Sequence, residues 1–167
     1  MVDHPRLEAR AHAFFLVRRA FMQSLMGLRD SDVWRTPGGG AASVGEIVRS
    51  AWLREWRWLW PPETPAPELD ERPNLAGLLY ALGRYRAVTE ELLRGADDDA
   101  LDRVYVSQAR RHDGGEPRTL GWILDEVMRN ELYDAAQVNY LRSLWQPEWD
   151  GAQEIWLRAA MAFADRD

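Results

Sequence analysis

The stretch LGWILDEVMRNELYDAAQVNYLRSLW, residues 120–145, carries the most continuous helical pattern in the chain. Apolar side chains recur there at steps of three and four residues, which places them on one face of a helix. The residues on that face are Ile123, Val127, Val138 and Leu141. Thr119 precedes the stretch as an N-cap, and Pro147 follows it as a stop. We therefore predict a long amphipathic helix over residues 120–145.

Three other segments show the same periodicity, and stretches rich in glycine or proline separate them; they cover residues 6–28, 44–60 and 75–94. Ser43 and Glu46 form a capping box before the second segment, and Asn74 caps the third. Residues 150–164 predict a fifth, terminal helix. Residues 101–117 predict an extended loop or hairpin over the bundle, because VYVSQ alternates in polarity without an evident partner strand.

These segments predict an all-α fold. Four long helices bury their apolar stripes most simply against one another, as a four-helix bundle with an additional C-terminal helix. A chain of 167 residues is the size of one domain, so we expect a single domain over residues 1–167.

Composition excludes several kinds of function. The chain has no cysteine, which excludes thiolate metal sites and thiol nucleophiles, and no lysine, which excludes Schiff-base chemistry. Its formal charge of -6 is spread along the chain, without the basic face that a nucleic-acid partner requires. No stretch approaches the roughly 20 apolar residues that span a bilayer. The apolar run at 13–17 is too short and too interrupted for a secretion signal, so we expect a cytoplasmic protein without a membrane partner.

Two polar residues interrupt the apolar face of the 120–145 helix. Asn130 and Asp134 are four residues apart on that face, a spacing that allows two side chains to reach one ligand, and Glu126 continues the row. One interpretation is that they are buried polar groups satisfied by an arginine, a tryptophan N–H or water. The other is that they line a ligand pocket.

The 44–60 helix carries tryptophan at four-residue steps, which is more typical of a core or a subunit interface than of ligand stacking; these residues are Trp52, Trp56 and Trp60. Glu55 lies on or near the inward side of the helix. It is a candidate buried acid, although pairing with an arginine such as Arg142 or Arg84 is the ordinary alternative. The three histidines, His4, His12 and His112, do not cluster in the sequence.

Two segments resemble the DinB/YfiT-like superfamily. TLGWILDEVMRNELYDAAQVNYLR, residues 119–142, resembles the last-helix motif of that family, and PGGGAASVGEIVRSAWLREWRWLW, residues 36–60, resembles its second-helix motif. The resemblance implies a four-helix bundle, commonly a homodimer, in which three histidines hold a divalent metal. Relatives include thiol-dependent transferases and isomerases that use bacillithiol, mycothiol or a similar small thiol.

At the metal positions the chain departs from this family. The resemblance places the helix-two histidine at Ser50 and the helix-four pair at Asn130 and Asp134. A hydroxyl and a carboxamide are poor ligands for zinc or nickel, so Asp134 is the one competent ligand of the three, and we expect no metal cofactor. An oxygen-rich site rebuilt with Glu126, Glu131 or Glu55 is the alternative.

The leading hypothesis is a metal-free bundle that binds a small molecule or is associated with stress, with a polar pocket at Ser50, Asn130 and Asp134. The alternative is an enzyme with a remodelled site, either a thiol-dependent transferase or a metal-dependent hydrolase, with Asp134 or Glu55 as general base. A third hypothesis is a structural dimer module whose tryptophans form the interface.

Overall fold

The computed structural model describes residues 4–61, 63–65, 68, 70–107, 116–149 and 153–164. This part of the chain contains six α-helices: α1 (Pro5–Leu25), α2 (Asp30–Val33), α3 (Val44–Leu59), α4 (Leu75–Arg94), α5 (Leu120–Trp145) and α6 (Gln153–Ala164). A 3-10 turn covers Asp98–Leu101, and the two-residue strands β1 (Val104–Tyr105) and β2 (Arg118–Thr119) pair antiparallel. The protein is therefore all-α, as the helical periodicity predicted.

The helix starts are fixed by the predicted caps. Ser43 Oγ accepts the backbone N–H of Glu46 at 3.2 Å, and Glu46 Oε2 accepts the backbone N–H of Ser43 at 2.7 Å, which confirms the capping box. Asn74 Oδ1 accepts the Gly77 N–H at 2.9 Å, and Thr119 Oγ1 accepts the Trp122 N–H at 3.2 Å. These bonds satisfy backbone donors that lack partners within the helix.

The predicted helix ends differ by a few residues. The first helix ends at Leu25 instead of residue 28, because the chain turns through Gly27 at a φ of 72°. The second long helix ends one residue earlier than predicted, and the short helix α2 lies between it and the first helix. Residues 150–152 of the predicted terminal helix, and most of the predicted loop at 110–117 with His112, lie outside the described residues.

The long helices pack around one apolar core. Helix α1 packs against α5 and α6, while α3 packs against α4 and α5. Between α3 and α4, the ring of Tyr85 stacks with Trp52 and Trp60 at centroid distances of 4.9 and 4.8 Å. Burial raises the pKa of Tyr85 to about 12. Trp52 in α3 and Trp60, which follows its last residue, are therefore core residues.

Side chains distant in sequence hold the ends of α1. Asp98 accepts the backbone N–H groups of Arg6 and Leu7 at 3.3 and 2.8 Å, at the N-terminus of the helix. At the other end, Arg142 Nη1 donates to the carbonyl oxygens of Ser24 and Met26, each at 2.7 Å.

The segment after α4 closes one end of the core. Val104 pairs with Thr119 and Tyr105 with Arg118, so part of the predicted extended loop or hairpin is a short antiparallel pair. Tyr105 Oη donates to the Leu59 carbonyl at 2.7 Å, which ties the pair to the end of α3. The partner strand could not be recognised in the sequence because it is two residues long and merges with the cap of α5.

Candidate functional site

A cleft of about 410 Å³ lies on the surface where α3 meets α5. Two rows of side chains at four-residue steps face it, one from each helix. The residues lining it, which define the α3–α5 cleft, are Ser50, Leu53, Arg54, Arg57, Trp58, Trp122, Glu126 and Asn130. Its volume falls within the range of small-molecule sites.

The structure brings two of the three predicted pocket residues into this cleft. Ser50 is exposed and Asn130 half-buried, and both line it. Asp134, one turn beyond Asn130, is buried and does not line the cleft. The sequence predicted that both side chains point toward the core. Asp134 does so, whereas Asn130 faces the cleft, because the apolar face of α5 turns away from the cleft.

Asp134 is held by an arginine of the opposite helix. Arg54 Nη1 lies 2.8 Å from Asp134 Oδ2, and the two side chains are 20% and 8% exposed. Burial raises the pKa of Asp134, while the hydrogen bond and charge of Arg54 lower it. The arginine partner is the ordinary interpretation of this residue, and it neutralises the carboxylate at the edge of the cleft.

This arrangement does not fit a divalent transition metal at the three positions of the family motif. The single carboxylate is bonded to a guanidinium cation, and a hydroxyl and a carboxamide are weak donors. Within the described residues, no group of three histidine, cysteine, aspartate or glutamate side chains is placed to hold a metal ion. Three glutamates were considered for a rebuilt oxygen site. Glu126 lines the cleft, whereas Glu131 and Glu55 are buried in the core.

Glu126 and Asn130 bond to each other along α5. Asn130 Nδ2 donates to Glu126 Oε1 at 2.9 Å and to the Glu126 carbonyl at 2.7 Å. The other carboxylate oxygen of Glu126 accepts from Arg129 Nη1 at 2.5 Å. Both oxygens of Glu126 therefore have partners on their own helix, while Asn130 Oδ1 can accept a hydrogen bond from a ligand.

The far end of the cleft is aromatic. The Trp58 and Trp122 rings meet edge to face at 5.8 Å, and Arg118 Cζ lies 4.4 Å from the centroid of the Trp122 ring. Trp122 is 37% exposed. Among the described residues, neither indole N–H has a hydrogen-bond acceptor. The cleft thus presents an aromatic wall with two available donors.

Glu55 and Glu131 lie away from the cleft, in a buried ion cluster with Arg18 and Arg86. Arg18 bonds to Glu55, which also accepts the Thr89 hydroxyl. Arg86 Nη2 lies 3.4 Å from Glu131 Oε1, and Arg18 Nε lies 4.0 Å from the same atom. The helices α1, α3, α4 and α5 each contribute one member, and the predicted partners of Glu55, Arg142 and Arg84, are not among them.

The buried ion cluster does not have the geometry of an acid–base site. Glu55 is 0% exposed and Glu131 is 1% exposed, so no substrate reaches either carboxylate in this conformation. Burial raises the pKa of Glu131 against the opposing charges of Arg86 and Arg18, and burial lowers the pKa of Arg86. Several of its atoms lack protein partners in the described part of the chain, including Glu55 Oε2 and Glu131 Oε2. The cluster is best described as a structural link among four helices.

The sequence interpretation missed the arginine and the aromatic wall of the cleft. Arg54 and Trp58 follow Ser50 at four-residue steps on α3, and Trp122 precedes Asn130 by two such steps on α5. Arg54, Trp58 and Trp122 could have been identified by counting four-residue steps along each helix from Ser50 and Asn130. The residues of the buried ion cluster had no such signal, because their proximity depends on how four separate helices pack.

In the described part of the chain, no helix combines the length and the apolar character needed to cross a lipid bilayer. The chain matches no protein-family model and no curated protein. The likeness to the DinB/YfiT-like superfamily therefore rests on the two sequence segments alone.

Proposed function

We propose that this protein is a DinB/YfiT-type four-helix bundle that binds a small organic molecule in the α3–α5 cleft without a metal. The observation that carries the proposal is the Arg54–Asp134 pair at 2.8 Å. At the positions where the family motif has metal-binding histidines, Asp134 is the one competent metal ligand of this chain, and it is paired with the guanidinium of Arg54. A cleft with available donors and acceptors remains beside that pair.

The packing of the long helices supports the bundle part of the proposal. Helices α1, α3, α4 and α5 are connected to one another through the core and through the buried ion cluster. The two segments that carry the resemblance are α3 with its preceding loop and most of α5, and these are the helices that form the cleft.

The enzymatic alternative uses Asp134 as general base for a thiol-dependent transfer or a hydrolysis. Burial raises the pKa of this carboxyl, which makes its carboxylate a stronger base. Its bond to Arg54 and its 5% exposure oppose that role. Glu55 is a poorer candidate because it is fully buried against Arg18 and Thr89. Binding without turnover is thus the better supported function.

The expected homodimer, a cytoplasmic location, the stress association and the absence of a nucleic-acid partner remain predictions. Sedimentation equilibrium at micromolar concentration tests the dimer directly, and a monomer at every concentration would remove the hypothesis of a structural dimer module.

Metal content tests the proposed function. We expect elemental analysis of the purified, untagged protein to find no zinc or nickel, and titration with either metal to leave the tryptophan fluorescence unchanged. The matched variant Ser50→His with Asn130→His adds two imidazoles to the lining of the cleft, and we expect it to gain zinc affinity. Near-stoichiometric metal in the unmodified protein would contradict the proposal.

A further inference from the structure

We infer that the outward face of α5 is the contact surface between two copies of this chain. Four exposed residues define this surface, the α5 outer face: Tyr133, Ala136, Tyr140 and Leu144. The inference assigns an interface to the expected homodimer, and it does not depend on what the α3–α5 cleft binds.

The span 130–145 of α5 has an inverted distribution of charge. Every residue of the span lies in the described part of the chain, and its charged residues, Glu131, Asp134 and Arg142, are all buried. The half-buried and exposed residues of the span are all uncharged; they are Asn130, Leu132, Tyr133, Ala136, Gln137, Asn139, Tyr140, Ser143, Leu144 and Trp145. A helix that borders solvent normally presents charged side chains on that side. An uncharged outward side of this length is typical of a helix that another surface covers.

The exposed side chains of the α5 outer face are those of an interface. Tyr133 is 65% exposed, Tyr140 is 64% exposed and Leu144 is 48% exposed. Positions 133, 136, 140 and 144 follow steps of three and four residues, so these side chains form one row along the helix. The cores of protein–protein interfaces are enriched in tyrosine and depleted of charged residues. The tryptophans at 52 and 60, by contrast, lie in the core of the bundle.

A second copy is the partner that this face fits. A convex helix face lacks the concave shape of a small-molecule site. Nucleic acids and anionic membranes attract basic surfaces, whereas this face is uncharged and the chain has a formal charge of -6. Two copies with that net charge repel each other, and a contact through uncharged faces keeps their like charges apart.

The row is self-complementary about a two-fold axis. If two α5 helices pair antiparallel with the axis beside residues 136 and 137, Tyr133 of one copy lies opposite the partner's Tyr140, and the symmetric contact forms at the same time. Ala136 lies at the axis, where a small side chain allows two helices to approach closely.

The two ends of the row carry opposite charges. Arg129, one turn before Tyr133, is 62% exposed, and Glu148 is exposed just beyond the end of α5. Antiparallel pairing brings Arg129 to the C-terminal end of the partner helix, where the last carbonyl groups and Glu148 are negative. Within one copy, Arg129 pairs with Glu126 at the surface, a contact that contributes little stability. The charges at the ends therefore favour the antiparallel orientation over the parallel one.

The length of the face limits the strength of the contact. Residues 130–145 cover ~24 Å of helix. A contact along one helix of this length is smaller than a standard interface, which buries about 800 Å² on each partner. We therefore expect a reversible dimer with a Kd of about 1–100 μM.

A charge placed in the α5 outer face tests its role. Sedimentation equilibrium of the full-length protein up to about 500 μM measures the Kd. We expect Tyr140→Glu to raise the Kd at least about tenfold, because the contact would bury two carboxylates without partners. Tyr80→Glu on α4 is the matched control: Tyr80 is 70% exposed outside this face, so the Kd is expected to stay unchanged. Circular dichroism of both variants verifies that the helices are retained.

A single cysteine locates the axis. The chain has no cysteine, so Ala136→Cys provides one thiol in each copy. Because facing positions of two closely packed helices come within the Cα distance of a disulfide, we expect Ala136→Cys to form a covalent dimer on mild oxidation. Tyr80→Cys, the control, is expected to cross-link far more slowly.

Three results would overturn the inference. One is a protein that stays monomeric at every concentration. The others are a dimer whose Kd Tyr140→Glu leaves unchanged, and a dimer that Ala136→Cys cross-links no faster than Tyr80→Cys, because the contact would then lie elsewhere on the chain. None of these results bears on the proposed metal-free binding, which the elemental analysis tests separately.

Discussion

Asp134 shows how one buried carboxylate is tuned at the edge of the cleft. Burial raises its pKa above the ordinary value of 3.8, and the charge and hydrogen bond of Arg54 lower it without cancelling that effect. The folded protein therefore holds the proton of this group more tightly than the unfolded chain does. The stability that Asp134 contributes is fully present below about pH 3.8, and it is lost as the pH rises through the folded-state pKa.

The variant Asp134→Asn tests whether the stability contributed by Asp134 is lost as the pH rises. We expect the free energy of unfolding of the variant, relative to the unmodified protein, to rise with pH from about 3.8 to the folded-state pKa and then to stay constant. Urea unfolding at a series of pH values measures it. Arg54 is 20% exposed and can turn to solvent, so the variant does not leave a deeply buried cation.

The variant Asp102→Asn is a control for which we expect the opposite dependence of stability on pH. Asp102 lies at the surface, and the hydrogen bond and charge of Arg6 lower its pKa below 3.8. Its stabilising contribution is present above the ordinary pKa and is lost as the pH falls, so the relative stability of Asp102→Asn falls with rising pH. The same slope for both variants would show that burial does not govern Asp134.

At the scale of the element, α1 differs from α3, α4 and α5 in that the side chain of its own N-cap residue makes no cap bond. The starts of α3, α4 and α5 use the residue just before the helix, which is why the sequence predicted them. At α1 the N-cap residue His4 makes no side-chain cap bond, and Asp98 supplies the acceptor from a distant turn. The residues next to α1 in the sequence do not indicate Asp98 as a cap, because tertiary packing brings Asp98 to the helix.

Asp98→Ala removes the distant cap. We expect it to lower the free energy of unfolding by about 1 kcal/mol, because the Arg6 and Leu7 N–H groups lose a charged acceptor at a helix N-terminus. Urea denaturation gives the loss, and amide hydrogen exchange at residues 6 and 7 locates it. Asp99→Ala, an exposed neighbour in the same turn, is expected to change neither measurement by a comparable amount.

At the scale of the whole molecule, the sequence predicted the helices and part of the cleft but not the charges that surround it. Ser50 was found through a family motif and Asn130 through the apolar periodicity of its helix, and the four-residue rows through them lead to the rest of the lining. The partner of Glu55 could not be predicted from the sequence. It is Arg18 on α1, which was not among the arginines considered. Pairing across helices depends on their rotation and register, which periodicity within one helix leaves open.

The Arg18–Glu55 pair joins α1 to α3, two helices that each pack against α5. Both side chains are almost fully buried, at 4% and 0% exposure. Removing one partner leaves the other charge without its main counterion in the core, which costs far more than a lost surface pair. Removing both leaves the Arg86–Glu131 pair in place and replaces two desolvated charges with apolar volume.

A double-mutant cycle tests this link between helices. We expect Arg18→Met and Glu55→Met each to lower the free energy of unfolding by about 3–5 kcal/mol, and the double variant to lose much less than the sum of the two. Urea denaturation of the four proteins gives the coupling energy directly. If the two costs simply add, the charges do not stabilise each other, and the buried ion cluster would hold α1 and α3 through packing of the side-chain stems alone.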